Sequence, residues 1–263
     1  MMKTRLFCMF VFSALLIFAV HNSDAQGVNS GVVKYEQTTK YDFESLFKLK
    51  NNTNPEVRAW LAGIPKQSKK LNVLYFTETV SLYEEDDTAK PPPNKNLREA
   101  MAKAMYFKEP EVEVEKVFRD FGKSEMTRQV LFMTRYFTVK DSIRQKPWKF
   151  NNKMAKVLDY TCMGAELAQG GTTFTAWFTP EIPVSTGPDQ FYGLPGLILA
   201  IEVNGETAII ATSIEFTVPN EEILKRPDKD MNLSQEEFDR IVADKIKEYR
   251  EAGGKKIIKK GIK

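Results

Sequence analysis

Alternating apolar and polar residues run through most of this chain, and they constrain its fold more than any other feature. The alternation is clear in Gly31–Thr39, in Glu111–Phe121 and in Met126–Val139. A period of two residues places successive side chains on opposite faces, which is typical of a β-strand with one buried face. The sequence therefore predicts a mainly β domain.

A hairpin is predicted where two apolar runs, Leu197–Val203 and Glu206–Phe216, flank the pair Asn204-Gly205. Asparagine and glycine tolerate the positive φ angles of a two-residue type I′ turn. Further strands, rich in β-branched and aromatic residues, are predicted at Leu71–Tyr83 (as a strand pair or one bent strand), Trp148–Phe150, Ala155–Thr161 and Thr172–Phe178. Short turns between consecutive strands favour an antiparallel sheet.

Helical patterns are confined to three short stretches. Pro55–Leu61 begins with proline at the first helical position, where its missing N–H costs nothing. Leu97–Met105 has helical composition. Ser234 and Glu237 form a capping-box pattern that predicts a helix near 235–252. The apolar positions of this last helix share one face and are predicted to dock on the sheet: Phe238, Ile241, Val242 and Ile246.

Together these elements predict a β-rich α+β fold. Consecutive strands joined by short turns favour an antiparallel meander that curls into a half-open barrel, with the C-terminal helix docked on it. A sandwich of two sheets is the alternative. Residues 84–108, which are acidic and then proline-rich, predict an insertion loop.

The N-terminus carries the three-part pattern of a cleaved export signal. A short basic stretch precedes Leu6–Val20, an uncharged apolar run of 15 residues, and small residues precede the expected cleavage between Ala25 and Gln26. A membrane anchor is the alternative, but it needs about 20 apolar residues. The sequence thus predicts a signal peptide over residues 1–25 and a single domain over 26–263.

Export is expected to place the mature domain in the periplasm, with secretion or association with the outer membrane as alternatives. No later segment of the sequence is apolar enough to span a bilayer. The chain has 38 basic and 35 acidic residues, so its charge is nearly balanced. Proteins that bind nucleic acid usually carry a strongly basic surface, so no nucleic-acid partner is expected.

Removal of the signal also removes most catalytic options. The only histidine, His21, lies within the signal, so the mature chain has no imidazole base or metal ligand. Cys162 is then the one remaining cysteine, which is expected either to be buried as a small apolar residue or to pair with another chain. No nucleophile, phosphate-loop or metal-binding motif is present. The sequence therefore predicts a protein that is not an enzyme, without catalytic residues, cofactor or metal.

The segment Trp177–Leu199 combines four prolines with three glycines between two apolar strands. We name it the Pro/Gly segment. Proline restricts φ and glycine permits φ values closed to other residues, so this density predicts a rigid connection of specific shape. The pair Pro195-Gly196 suits the central positions of a type II turn. The apolar run Leu197–Leu199 predicts a strand that is covered on both faces at its start.

One known family matches this segment. The sequence GLPGLI is complete at residues 193–198, and Trp177–Pro183, Gly187-Pro188 and Cys162 fit the same layout. In these features the chain resembles the GLPGLI proteins, an exported family of Bacteroidota bacteria named for this signature. The resemblance extends from about Trp148 to Phe216 and implies no established biochemical activity.

Two functions fit these patterns. The first is a periplasmic carrier or binder of an apolar ligand such as lipid, by analogy with other curled sheets that have a rigid lip. The alternative is a protein that docks or assembles other envelope proteins through this segment and a sheet edge. The candidate residues for binding a ligand or partner are Phe174, Trp177, Phe178, Pro183, Gly187, Pro188, Phe191, Tyr192, Gly193, Leu194, Pro195 and Gly196. An open apolar concavity favours the carrier, whereas a concavity filled by side chains favours the docking protein.

Overall fold

The structure is a computed structural model that describes residues 29–89, 92, 94–104, 109–228 and 231–252. The predicted signal peptide and its cleavage site, between Ala25 and Gln26, lie outside these residues. Cleavage therefore stays a prediction.

The described chain forms twelve strands, four α-helices and a short 3-10 turn at Asp87–Ala89. The strands are β1 Gly31–Lys40, β2 Gln67–Phe76, β3 Val80–Glu85, β4 Val112–Asp120, β5 Glu125–Phe132, β6 Arg135–Ser142, β7 Lys149–Val157, β8 Tyr160–Gln169, β9 Thr172–Thr179, β10 Leu197–Val203, β11 Thr207–Glu215 and β12 Met231–Ser234. The helices are α1 Phe43–Leu46, α2 Pro55–Ala62, α3 Lys95–Ala104 and α4 Gln235–Glu251. None of these four helices has the length and apolar character needed to cross a bilayer.

All twelve strands belong to one open sheet, in the order β12-β6-β5-β4-β3-β2-β1-β11-β10-β9-β8-β7. The first strand, β1, lies near the middle and joins two antiparallel meanders, β2 to β6 on one side and β7 to β11 on the other. The short strand β12 adds to β6 in parallel. The predicted β-rich antiparallel meander is therefore confirmed, as one sheet that does not close.

The hairpin of β10 and β11 has the turn that its sequence predicts. Asn204 and Gly205 have φ angles of 48° and 73°. The N–H of Glu206 donates to the carbonyl of Val203 at 2.9 Å, which closes a turn with two central residues. Positive φ at both central residues is the requirement that Asn-Gly meets at low cost.

The sheet curls around one shared core. Inward side chains of the first meander and β1, such as Val33, Leu74 and Val117, belong to the same buried cluster as Ala176 of β9 and Ile201 of β10. The Pro/Gly segment lies between the two halves and contributes buried side chains of its own. Strands β6 and β7 lie ten steps apart in the sheet order, yet residues 143–148 alone join them, so the sheet must be strongly curved.

Helix α4 begins with the predicted capping box. The N–H of Glu237 donates to the Ser234 hydroxyl at 3.3 Å, and the N–H of Ser234 donates to the Glu237 carboxylate at 2.8 Å. Phe238 packs against Phe132 and Phe137 of the sheet, with ring centroids 6.3 Å and 5.4 Å apart. The other predicted apolar positions of α4 join the same cluster. The docking of this helix on the sheet is confirmed.

Helices α1, α2 and α3 form a small cluster of their own, whose buried residues include Phe43, Ile64 and Ala100. Helix α3 falls inside the predicted insertion loop 84–108, so part of that stretch is an anchored helix. Helix α1 is absent from the sequence prediction, although the carboxylate of its N-cap residue Asp42 accepts from the Ser45 N–H at 2.9 Å.

Candidate functional site

The Pro/Gly segment fills the concave face of the sheet. Its apolar side chains point into the core: Ile182 and Leu194 are each 1% exposed, and Phe191 is 2% exposed. The ring of Phe191 packs against Phe174 of β9 and against Trp148, with centroids 5.1 Å and 6.3 Å away. The chain itself therefore occupies the volume in which a carrier would hold an apolar ligand.

Buried hydrogen bonds tie the segment to the sheet. The hydroxyl of Tyr35 in β1 donates to the carbonyl of Ile198 at 2.7 Å. The N–H of Ile198 donates to the carbonyl of Thr186 at 3.0 Å, and the hydroxyls of Thr186 and Ser81 lie 3.0 Å apart. These bonds satisfy polar groups that lie in apolar surroundings. The segment is thus a fixed part of the core.

The turn at the end of the segment is tighter than the sequence predicts. The predicted type II turn at Pro195-Gly196 is wrong, because Gly196 has a φ angle of 151°, far from the value of about 80° in that turn. Its N–H donates to the carbonyl of Leu194 at 2.8 Å, which closes a three-residue turn. A Cβ atom at this position would lie only 2.1 Å from the carbonyl oxygen of Thr179. The close approach to β9 explains why glycine stands here.

The structure brings the predicted binding residues together, and most of them are buried. The buried ones are Phe178, Gly187, Pro188, Phe191, Tyr192, Leu194 and Gly196. Phe174 and Trp177 are half-buried, whereas Pro183, Gly193 and Pro195 are exposed. Their role in binding stays a prediction. The buried ones fill the concavity and do not line an open one.

A cluster of charged and polar side chains lies under the segment, and the sequence analysis missed it. Arg119 of β4 is 0% exposed, and its Nη2 group donates to the backbone carbonyl of Asp189. Val117 of β4 pairs with Tyr83 of β3 and with Arg128 of β5, so these three side chains lie on one face of the sheet. Arg119 stands two residues after Val117 and therefore points to the same face. We name the following residues the buried polar cluster: Tyr83, Arg119, Arg128, Lys146 and Asp189.

The aromatic ring of Tyr192 links two members of this cluster. The Arg119 guanidinium carbon lies 5.5 Å from the ring centroid, and the Lys146 ammonium lies 5.0 Å from it. Tyr192 is held in place by its backbone carbonyl, which accepts from the indole N–H of Trp148 at 2.8 Å. Both cations therefore gain cation–π attraction from one ring of the Pro/Gly segment.

Several buried polar atoms of the cluster have no hydrogen-bond partner among the described residues. They are Nε and Nη1 of Arg119, Nε of Arg128, the hydroxyl of Tyr83 and Oδ1 of Asp189. Each unmet buried donor or acceptor costs about 1–3 kcal/mol. Because buried polar groups are normally paired, this concentration marks the cluster as a candidate binding site.

Burial perturbs the ionisation of the cluster. It lowers the pKa of Arg119 to about 10, against the attraction of Asp189. It raises the pKa of Asp189, against the attraction of Arg119 and Arg128. It also lowers the pKa of Lys146, and the two arginines lower that pKa further. Each shift has the same origin, since charge is disfavoured where water is excluded.

A second candidate surface lies at the sheet edge formed by β7. Phe150 and Met154 of β7 are 54% and 69% exposed, and Met163 of β8, which pairs with Met154, is 41% exposed. Phe150 also packs on Phe178, with ring centroids 5.9 Å apart, so the surface rests on the core. We name Phe150, Met154 and Met163 the edge patch. Grouped exposed apolar side chains are typical of interaction sites.

The strand that carries the edge patch is protected against indiscriminate pairing. Its lysines Lys149, Lys153 and Lys156 are all exposed. The register shifts between Phe150 and Met154, within which Asn152 has a positive φ angle of 56°. Lysines and bulges on a free edge both discourage the addition of a random strand. A partner strand must therefore fit this edge specifically.

Cys162 is buried and free, which confirms the first of its two expected states. Burial raises the pKa of the thiol to about 11, so the thiol stays protonated at neutral pH. The neighbouring Met163 is exposed, as expected for adjacent residues on opposite faces of a strand.

Comparisons with known proteins give one match to a family model and a likeness in fold to solved structures. A family model described as "Protein of unknown function (Porph_ging)" matches residues 167–200, which include the whole GLPGLI sequence. No curated protein matches the chain. The chain is similar to a solved structure described as "Structure of PNGF-II in C2 space group", with 12% identity and a TM-score of 0.51 over 82% of this chain and 33% of that chain.

A second structure, "Structure of PNGF-II in P21 space group", has 13% identity and a TM-score of 0.49, over 82% of this chain and 34% of that chain. This chain thus spans about a third of the length of both structures. At such low identity the likeness concerns the fold alone.

Proposed function

We propose that this chain is an exported protein of the cell envelope that docks a partner protein, that it is a GLPGLI protein, and that it is not an enzyme. The N-terminal pattern supports export, and the lack of histidine after residue 25 supports the absence of imidazole catalysis. The match of the family model over residues 167–200 supports the family. The observation that favours docking over lipid transport is the filled concave face.

The energy needed to open this face argues against a carrier. A ligand could enter only if Ile182, Phe191 and Leu194 moved out of the core, where each is at most 2% exposed. Exposing a large apolar side chain costs about 1.5–3 kcal/mol, so the three together cost about 5–9 kcal/mol. Domains are usually stable by only about 5–15 kcal/mol. Opening the face would consume most of that stability.

The edge patch offers a more accessible surface. Phe150, Met154 and Met163 are exposed in the folded state, so a partner can reach them without any rearrangement. The patch lies beside the outer backbone edge of β7, which pairs with no strand but β8 among the described residues, and an extended segment can add there as a further strand. A strand added there would lie about 4.8 Å from β7. Its alternate side chains would then cover Met154.

Charge defines the chemistry of the partner. Strand β7 has three lysines and no acidic residue, so its surface is positive. An extended segment that alternates carboxylates with apolar residues would place its carboxylates on the face of Lys153, while its apolar residues cover the edge patch on the opposite face. Charge complementarity of this kind raises the association rate and discriminates against basic partners. We therefore assign the partner to this class, an acidic and apolar extended segment of another protein.

Fluorescence anisotropy with synthetic peptides tests this assignment. One labelled peptide alternates Glu and Val, and a second peptide of the same length alternates Lys and Val. We expect the acidic peptide to bind at least about tenfold more tightly, a difference of about 1.4 kcal/mol. Equal binding of the two peptides would refute the charge argument.

Two variants locate the binding to the edge. Met154→Ser in the edge patch should weaken binding of the acidic peptide about tenfold, which corresponds to about 1.4 kcal/mol. Val218→Ser is the matched control, because Val218 is also a highly exposed apolar residue (76%) but lies outside β7 and β8. If both variants bind like the wild type, the edge patch is not the docking surface. If Met154→Ser alone weakens binding, a photo-crosslinking residue at position 154, with position 218 as control, identifies the partner in cells.

A further inference from the structure

The buried polar cluster extends from the core to the protein surface. Arg119 forms its fully buried end. Arg128, Lys146 and Asp189 retain some exposed surface, so the cluster opens to solvent on their side. Arg128 is oriented there by Gln235 of α4, whose Oε1 accepts from Nη2 of the arginine. The cluster is therefore a partly exposed site bounded by the sheet, the Pro/Gly segment and the start of α4, and we call this site the cleft.

Positive charge predominates in this cleft. Its cations are Arg119, Arg128 and Lys146, and they come from three separate stretches of chain, β4, β5 and the segment before β7. The carboxylates near them are Asp189, Asp141 and Asp239. Asp141 already pairs with Arg144 at 3.6 Å, and Asp239 accepts from the side-chain amide of Gln235 at 2.7 Å. An anion is the ligand that such a site attracts.

The unpaired atoms define the anion further. Nε and Nη1 of Arg119 and Nε of Arg128 are donors, so they require acceptor oxygens. Oδ1 of Asp189 is an acceptor, so it requires a donor when ionised. A ligand that meets both needs must carry several acceptor oxygens and at least one proton. Phosphate near neutral pH has this property, whereas sulfate has the same shape but no proton.

We infer that this cleft binds a phosphate group, either as free inorganic phosphate or as a phosphate monoester. Arg119, Arg128 and Lys146 hold the phosphate oxygens, and Asp189 accepts the remaining phosphate proton. The Tyr83 hydroxyl, which is buried and unpaired, supplies a further hydrogen bond from β3. The site is independent of the edge patch, so it stands whether or not β7 docks a partner.

Thermal unfolding of the mature protein tests this site. The midpoint is measured at about pH 6, where inorganic phosphate and about half of a phosphate monoester retain a proton, in phosphate, sulfate or chloride at equal ionic strength. We expect phosphate to raise the midpoint with the logarithm of its concentration above the Kd, by about 5–10 °C at one hundred times the Kd. Sulfate should require a concentration at least about tenfold higher than that of phosphate to raise the midpoint equally. Equal shifts in phosphate and sulfate would overturn the inference.

Glycerol 3-phosphate distinguishes the two sources of the group. If it shifts the midpoint as inorganic phosphate does, the cleft accepts a monoester. If only inorganic phosphate acts, the cleft holds the free ion.

Variants assign the response to the cleft. Arg128→Gln and Lys146→Gln, both at the partly exposed side, should lose the phosphate response, while Lys140→Gln, an exposed lysine on β6, should keep it. Asp189→Asn should remove the preference for phosphate, because an amide can donate to sulfate. A wild-type response in Arg128→Gln and Lys146→Gln would overturn the inference. Broadening of the phosphorus NMR signal of inorganic phosphate by the wild type gives a second readout that needs no variant.

Discussion

Gly196→Ala should destabilise the protein far more than its single added methyl group suggests. The new Cβ would lie 2.1 Å from the carbonyl oxygen of Thr179, 2.6 Å from its carbonyl carbon and 3.0 Å from Cα of Pro180. All three are backbone atoms, which cannot rotate away as the end of a side chain can. The φ angle of 151° at this position is also one that L-residues rarely adopt.

The magnitude follows from these two effects. Backbone strain at an unfavourable φ costs about 1–3 kcal/mol, and overpacking in a dense core costs about 1–3 kcal/mol. Their sum is about 2–6 kcal/mol. In a domain of this size each kcal/mol lowers the melting temperature by about 2–4 °C. We therefore expect a decrease of about 4–24 °C.

Gly170→Ala is the matched control for this variant. Gly170 also has a positive φ, 59°, but a Cβ there meets nothing within 4 Å. It therefore shows the smaller cost of a left-handed φ that L-residues can adopt, with no clash. Urea unfolding, followed by tryptophan fluorescence, gives the free energy of unfolding of both variants. If Gly196→Ala lies within about 1 kcal/mol of Gly170→Ala, the Pro/Gly segment is not held tightly against β9 and the reasoning is refuted.

Three other properties are open to test. Cys162, buried and with a raised pKa, should resist a thiol reagent at about pH 8 in the folded protein and react once urea unfolds it; rapid labelling of the native state would contradict its burial. Ser234→Ala removes the capping box of α4 and should cost about 1 kcal/mol in urea unfolding, and an unchanged midpoint would show that the cap is dispensable. Burial raises the pKa of Asp189 in the folded state. The protonated carboxyl therefore stabilises the fold most strongly below the unfolded pKa of about 4, and this stabilisation is lost as the pH rises through the pKa of the folded state. The free energy of unfolding of Asp189→Asn, relative to that of the wild type, should therefore rise from acidic to neutral pH. If the two free energies change in parallel over this range, the raised pKa of Asp189 is refuted.

Local features of the fold could be predicted because their causes are local. The turn at Asn204-Gly205 and the capping box of Ser234 and Glu237 depend on residues adjacent in sequence, and the structure has both. The run Leu197–Leu199 is fully buried, as its unbroken apolar character indicates. The alternation of side chains likewise identified most strands, because it reflects one buried face.

The arrangement of these pieces depends on contacts that sequence spacing does not encode. Nothing local to β1 shows that it pairs with β11, more than 150 residues later, and so becomes the centre of the sheet. The sequence predicts the Pro/Gly segment as a rigid rim of an open concavity. Its apolar residues alternate, however, so that Ile182 and Val184 enter the core. The alternation signal that predicts strands was present there and was outweighed by the prolines.

Arg119 was missed for a related reason. It stands two residues after Val117, at an inward position of β4, where the pattern demands a buried side chain. An arginine at an inward position of a predicted strand is a signal for a buried polar site, since charged residues are rarely buried without a partner. The identity of the groups that surround it, among them Asp189, follows only from the folded chain.

The central claim is that the chain fills its own concave face. Native mass spectrometry tests it most directly, on protein purified from its own cells. We expect a species with the mass of the polypeptide alone and no apolar adduct. A stoichiometric lipid that stays bound in the spectrum and is released on activation would contradict it, because the concave face would then hold a ligand and not the Pro/Gly segment.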